Sequence, residues 1–307
     1  MKDTKSAFIA IVGRPNVGKS SIINALIKQK IAIVSDKPQT TRTRIMGVLT
    51  KNENQFVFVD TPGFHKPKNV LGHNMMKAVG NGLSDVNAAI LVVEAAPKFA
   101  FDKDNLPQAE IELINEIKRR KLKAILVINK IDLLQDKDDL FEIIAAYNKQ
   151  FDFDSIIPVS AAKGDGIDII IDECTPYLEP SPHYFGSEDS TDQSEKTMVA
   201  EIIREKLLRS LDKEIPHGIA IDIERFFERD LSNGEPILEV EATIYCEKDS
   251  HKGIIIGKGG EMLKKIGSRS RYDIEKFFGI KASVKLWVKV KEDWRNRQGL
   301  IHTFGLD

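Results

Sequence analysis

The chain has 307 residues, 42% of them hydrophobic and 30% charged, with a formal net charge of −1. That length and mixture fit a folded chain of two domains with a substantial core, and exclude a disordered or fibrous one. Two cysteines far apart, Cys174 and Cys246, argue against a disulfide framework or a zinc cluster, and no apolar run approaches the ~18 residues needed to span a bilayer, so the chain reads as cytoplasmic.

Residues 8–12 form an apolar run of strand length that leads into Gly13-Arg14-Pro15-Asn16-Val17-Gly18-Lys19-Ser20, a fit to G-x-x-x-x-G-K-[ST]. Because that run feeds straight into the loop, the N-terminus does not read as a signal peptide. Ser21 and the residues to 27 have helical spacing. A strand, a glycine-bearing loop and a helix N-terminus in this order make an anion cradle of loop N–H groups and helix dipole. Lys19 is expected to reach the β- and γ-phosphates, and the Ser20 hydroxyl to sit on Mg²⁺.

A polar stretch follows, Ser35-Asp36-Lys37-Pro38-Gln39-Thr40-Thr41-Arg42-Thr43-Arg44. It lies where a phosphate-sensing switch loop belongs, where a threonine hydroxyl completes the Mg²⁺ shell when a γ-phosphate is present. Thr41 is the first choice and Thr40 the second. Strand signals recur at 45–49, 56–59, 88–93, 124–128 and 155–159, with helical patterns at 109–119 and 140–150. Apolar strands alternating with helices predict an α/β fold, its mostly parallel sheet covered by helices on both faces. In such sheets ligands bind at the carboxyl ends of the strands.

The remaining motifs fall at those ends. Asp60-Thr61-Pro62-Gly63 puts a carboxylate for Mg²⁺ and an N–H for the γ-phosphate beside the loop, followed by Phe64. Asn129-Lys130-Ile131-Asp132 resembles the base-reading element of GTPases. Asp132 can accept from guanine N1–H and the exocyclic amine, a donor pair that adenine lacks. Ser160-Ala161-Ala162 looks like the element whose backbone supports the guanine carbonyl. Together these make a guanine-nucleotide site over residues 1–176.

Residues 177–196, rich in Pro, Ser and acidic groups, read as a linker that lets two domains move. From 197 to 307 the expected order is a helix at 197–211, strands at 219–224 and 237–244, a helix, Gly257-Lys258-Gly259-Gly260, a helix to 278, and a strand at 282–290. A glycine loop between helices in this order is similar to the GXXG loop of a smaller α+β type II KH domain, where the backbone approaches a nucleotide chain closely. Between 252 and 297 there are 13 Lys or Arg against 5 Asp or Glu, the footprint of a nucleic-acid surface. Ile256, the four loop residues, Lys264, Lys265, Arg269 and Arg271 are the expected RNA contacts.

These motifs, with Gln39-Thr40-Thr41-Arg42, the 200–206 stretch and the 288–295 stretch, resemble the Era-type GTPases. The resemblance implies a monomer that binds GTP and GDP with Mg²⁺. It further implies binding of the 3′ end of small-subunit (16S) ribosomal RNA, help in assembling the 30S particle, and loose contact with the inner membrane. The water-orienting Gln of Ras-like proteins is replaced here by Phe64, so hydrolysis is expected to be slow. Related GTPases with an apolar residue there hold a potassium ion on an Asn at the position of Asn16, which implies potassium stimulation. Lys19, Thr41, Asn16 and Gly63 are the expected catalytic groups, and His65 is a bystander in this reading. A competing reading is a constitutive GTPase whose C-terminal domain holds a protein or a membrane surface.

Overall fold

The computed structural model describes residues 3–37, 40–65, 67–95, 106–136, 138–211 and 215–306. Pro38 and Gln39 of the expected first switch loop lie outside the described residues. Two compact units emerge: residues 1–34, 41–66 and 75–192, and residues 35–40, 67–74 and 193–307.

The first unit is built from β1 (Lys5–Val12), α1 (Lys19–Ile27), β2 (Ile45–Lys51), β3 (Asn54–Asp60), α2 (Val70–Gly82), β4 (Ala88–Glu94), α3 (Gln108–Arg119), β5 (Lys123–Asn129), α4 (Asp138–Asn148), β6 (Ser155–Pro158), α5 (Ile167–Cys174) and β7 (Glu179–Pro180), the start of α2 grouping with the second unit. The sheet runs β2-β3-β1-β4-β5-β6; β2 is antiparallel to β3, and β3, β1, β4, β5 and β6 pair in parallel. Alternation along each strand divides the core. Ile9, Ile11, Ile90, Val92, Ile125 and Val127 meet α1 and α5 on one face, while Ala10, Val12, Leu91, Val93, Leu126 and Ile128 meet α2, α3 and α4 on the other. Strands buried on both faces read as unbroken apolar runs, so their signals in the sequence are strong.

The stretch 177–192 is not a free linker. β7 pairs antiparallel with β1, the Val48 N–H donates to the Ser190 carbonyl, and Asp192 Oδ1 accepts from the Met46 N–H. The amide of Gln55, itself fully buried, accepts from the N–H groups of Tyr184 and Phe185 and donates to the Phe185 carbonyl. A Ser- and Asp-rich segment is held here by satisfying backbone groups, a cause that carries no hydrophobic period. The helix that follows begins at Glu195 on a Ser194 N-cap, two residues ahead of the expected start.

The second unit contains α6 (Glu195–Ser210), β8 (Ala220–Asp230), β9 (Pro236–Cys246), α7 (Asp249–Ile256), α8 (Glu261–Phe278), β10 (Lys281–Val290) and α9 (Gln298–Thr303). Its sheet has the order β10-β9-β8, with β10 parallel and β8 antiparallel to β9, and its elements follow the chain order expected of a type II KH domain. Val199, Ile202, Ile203 and Leu207 of α6 pack with Ile266 and Ile274 of α8 over Val240, Ala242 and Ile244. Trp294 of the 288–295 stretch is wholly buried and its indole N–H donates to the Gly218 carbonyl at 2.9 Å. Among the described residues no helix is long and apolar enough to cross a membrane.

Candidate nucleotide and nucleic-acid sites

The phosphate loop closes on Gly18, which caps α1 in a left-handed conformation (φ 100°) and offers no side-chain cap of its own to the helix N–H groups. Those donors are available to an anion. A Cβ on Gly18 would sit 2.1 Å from Asn129 Nδ2, so the loop and the base-reading segment touch without room for a side chain. Asn129 fastens them, its Nδ2 donating to the Val17 carbonyl (2.8 Å) and its Oδ1 accepting from the Ala161 N–H (3.0 Å). The Ser160 hydroxyl donates to Asp132 Oδ1 at 2.6 Å and sets the rotation of that carboxylate, and Lys130 reaches Glu94 at 2.9 Å. Sequence reading placed the four segments at strand ends and the structure brings them together; Ser21 lies inside α1, Ile131 opens the turn after β5, and Ala162 lies at the exposed rim.

Beside the loop, Asp60 and Thr61 are fully buried, and the Thr61 hydroxyl donates to the Ile11 carbonyl. The Phe64 N–H donates to the Gly13 carbonyl at 3.2 Å, which draws Pro62 and Gly63 alongside the loop. Ser20 Oγ stands 2.9 Å from Thr41 Oγ1, and both hydroxyls donate to Asp60 Oδ2, at 3.0 and 3.4 Å. Thr40 instead donates its hydroxyl to the Lys37 carbonyl, so of the two candidates Thr41 is the one that joins Ser20 and Asp60. Asp60 Oδ1 is buried with no hydrogen-bond partner among the described residues. An orphaned carboxylate oxygen beside two hydroxyls is a hard-oxygen donor set, and it fits Mg²⁺.

Electrostatics make the same point. Burial raises the Asp60 carboxyl to about 6, opposed by Lys19 and the hydroxyls, and burial pulls Lys19 down to about 8, opposed by Asp60. Lys19 Nζ donates to the carbonyls of Gly13 and Arg14 at 3.1 and 2.9 Å. A desolvated cation and anion held by neutral groups form a site suited to a charged ligand. Pro15 and Asn16 form the outer turn of the loop, Asn16 with a left-handed φ of 67°. The Arg14 side chain bonds Glu110 on α3. His65 Nδ1 lies 2.8 Å from the Gly63 carbonyl, and Phe64 packs against the core face that carries α2, α3 and α4.

In the second unit, Gly257, Gly259 and Gly260 all have positive φ (74°, 59° and 82°) and Lys258 and Gly259 are exposed at the turn between α7 and α8. Below the turn lies a groove of about 660 Å³, walled by Gly260 of the turn, by Leu263, Lys264, Gly267 and Arg271 on α8 and by residues 282–284 and Leu286 on β10. Of the expected contacts, Lys264 and Arg271 line it and Ile256 ends α7 beside the turn; Lys265 and Arg269 do not line it. Arg269 instead faces a cleft with Arg209 and Tyr272. Leu263, Gly267 and Leu286 were not singled out from the sequence, where half-buried apolar positions look like core.

Known proteins share these features. A family model described as a 50S ribosome-binding GTPase matches residues 8–130, and a KH-domain model matches residues 214–295. GTPase Era of Ruminiclostridium cellulolyticum is 47% identical over 302 residues, covering 98% of this chain and 97% of the relative. GTPase Era of Clostridioides difficile is 48% identical over 301 residues, covering 98% of each. A crystal structure of Era in complex with MgGDPNP and nucleotides 1506–1542 of 16S ribosomal RNA is 34% identical, with a TM-score of 0.91 over 99% of both chains. A variant of Aquifex aeolicus Era bound to GDP and AlF4⁻ gives 34% and 0.90, again over 99% of both chains. Identity near half over almost the whole length, with both domains matched, makes this chain a member of the Era family of GTPases.

Proposed function

We propose that this chain is a GTP-hydrolysing switch that binds the 3′ end of 16S ribosomal RNA through its KH domain and assists assembly of the 30S particle. The observation that carries the reading is the pairing, in one chain, of a complete guanine-nucleotide constellation with a glycine turn over a basic groove. A relative of the same fold was crystallised with a GTP analogue and a 16S segment. The protein is read as a cytoplasmic monomer with at most peripheral contact to the membrane.

In this reading the 13–20 loop amides and Lys19 hold the phosphates, Asp132 and the Ser160-Ala161-Ala162 backbone select guanine, and Gly63 senses the γ-phosphate. Ser20, Thr41 and Asp60 would hold Mg²⁺, which when bound offsets the charge that builds on the phosphate oxygens. Phe64 has no group with which to orient water, so intrinsic hydrolysis is slow. Asn16, on the outer turn, is the group that would hold a stimulating K⁺. The turn at 257–260 lets the RNA backbone approach, and Lys258, Lys264 and Arg271 neutralise its phosphates.

The test is binding of a labelled 16S 3′-end oligonucleotide with a GTP analogue, with GDP and without nucleotide. Tighter binding with the analogue is expected, and Lys258→Asp with Gly259→Asp should abolish it while leaving GTP affinity intact. Equal, salt-sensitive binding in all three states would remove the switch from the reading. No binding would move the second domain to a protein or membrane partner.

A further inference from the structure

Helix α3 carries a carboxylate for which the nucleotide chemistry gives no role. Glu110 lies in its first turn with no exposure to solvent. Its Oε1 accepts from Arg14 Nε at 2.5 Å, and its Oε2 accepts from the hydroxyl of Tyr147, a buried residue of α4. Arg14 is the second residue of the phosphate loop, and its carbonyl accepts from Lys19 Nζ. A line of contacts, Tyr147 to Glu110 to Arg14 to Lys19, thus runs from the helical layer into the loop.

A buried ion pair is a poor way to gain stability, because desolvating the charges consumes most of the attraction and an apolar replacement often serves as well. What such a pair supplies is position. The guanidinium of Arg14, only 20% exposed at its side chain, is turned toward α3. The loop is also fastened through Val17 to Asn129 and through Gly13 to Phe64. Glu110 adds a hold from the side of α3 and α4, at the residue whose carbonyl meets the lysine.

We infer that Glu110 is a positioning residue for the phosphate loop: braced by Tyr147, it grips Arg14 so that the Arg14 carbonyl and Lys19 stand ready before nucleotide arrives. The inference rests on the reading of this loop as the GTP site. Preorganisation of this kind lowers the cost of binding for GTP and GDP alike, so its loss shows in affinity and KM more than in kcat.

The experiment measures fluorescent GDP and GTP-analogue affinity, steady-state hydrolysis and melting temperature on the full chain. The variants are Glu110→Gln, Arg14→Ala, Tyr147→Phe and the Arg14→Ala Glu110→Gln pair. Glu110→Gln and Arg14→Ala should each weaken both nucleotides about tenfold, and the double variant should be no weaker than either, the mark of one shared contact. Tyr147→Phe, which keeps the ring, should weaken binding about threefold and stays informative if Glu110→Gln folds poorly. A lowered melting temperature with affinity within about twofold of the parent would reduce Glu110 to a packing group and overturn the inference, as would additive losses in the double variant. A parent chain that binds no guanine nucleotide would instead overturn the reading of the whole site.

Discussion

Replacing Asp60 with Asn should stabilise the nucleotide-free protein and weaken its response to Mg²⁺ and nucleotide. Burial raises this carboxyl from 3.8 to about 6 even with Lys19, Ser20 and Thr41 beside it. That rise corresponds to about 3 kcal/mol against the charged form. Because the folded value lies above the unfolded one, the folded chain binds the proton more tightly, and stability falls as the pH rises through this window. The penalty is absent below about pH 4 and complete above about pH 6. Lys19, pulled down to about 8, is still charged across that window, so its attraction is already counted. Asn is neutral throughout. Its first-unit transition at pH 7 should therefore lie about 5–10 °C above the parent's, with the gap closing toward pH 4. Both tryptophans, Trp287 and Trp294, belong to the second unit, so calorimetry rather than fluorescence must follow the first. With GDP and Mg²⁺ at a hundred times the dissociation constant the parent should gain about 2.7 kcal/mol, and the variant much less. A variant less stable than its parent above pH 6, or one equally stabilised by the ligand, would refute the assignment of Asp60 as a strained carboxylate awaiting a cation.

Three further outcomes follow from the same geometry. Asp132→Asn should cost GTP at least about 100-fold in affinity and admit xanthosine triphosphate, whose C2 carbonyl meets the amide; competition binding of the two nucleotides decides it. Hydrolysis should be about tenfold or more faster in potassium than in sodium chloride, and Asn16→Ala should erase the difference; equal rates in the parent would remove the ion. Trp294→Ala should destabilise the second unit by about 3–5 kcal/mol, read from the urea midpoint of Trp287 fluorescence, with GTP hydrolysis unchanged.

What could be read in the sequence is what depends on short-range order. The strands β1, β3, β4 and β5 are buried on both faces and so appear as apolar runs, and the phosphate and base-reading loops are contiguous segments at their ends. α2 was missed because Gly72, Gly80 and Gly82 depress its helical propensity, and α5 because Ile167–Cys174 is short and β-branched, which reads equally as a strand. The packing of 177–192 on β1 and β2 was illegible for a different reason. It depends on Gln55, a polar residue far away in the chain whose fully buried amide satisfies three backbone groups. Glu110 likewise looks in the sequence like one more acidic residue of a solvated helix, since nothing local distinguishes it from the partly exposed Glu112 and Glu116. Its meaning lies in Arg14 and Tyr147, 96 and 37 residues away.

In the proposed function two glycine turns approach phosphate, and they need glycine for different reasons. At Gly18 the space is already taken, since a Cβ would collide with Asn129 at 2.1 Å. At Gly259 a Cβ would meet nothing within 4 Å, and glycine there answers to a left-handed φ of 59° and to whatever comes close from outside. Alanine should therefore separate the two. Gly18→Ala must push Asn129 off the Val17 carbonyl or distort the loop, so stability and nucleotide affinity should fall together. Gly259→Ala pays only the left-handed strain of about 1–2 kcal/mol on folding, while its methyl stands where a nucleotide backbone would lie. RNA affinity should drop about tenfold or more, while the melting temperature of the second unit falls only by the several degrees that this strain accounts for. Melting curves and oligonucleotide titration on the two variants measure the contrast. If Gly259→Ala bound RNA as the parent does, the open turn would be a conformational device and the backbone contact would have to be sought elsewhere along the groove.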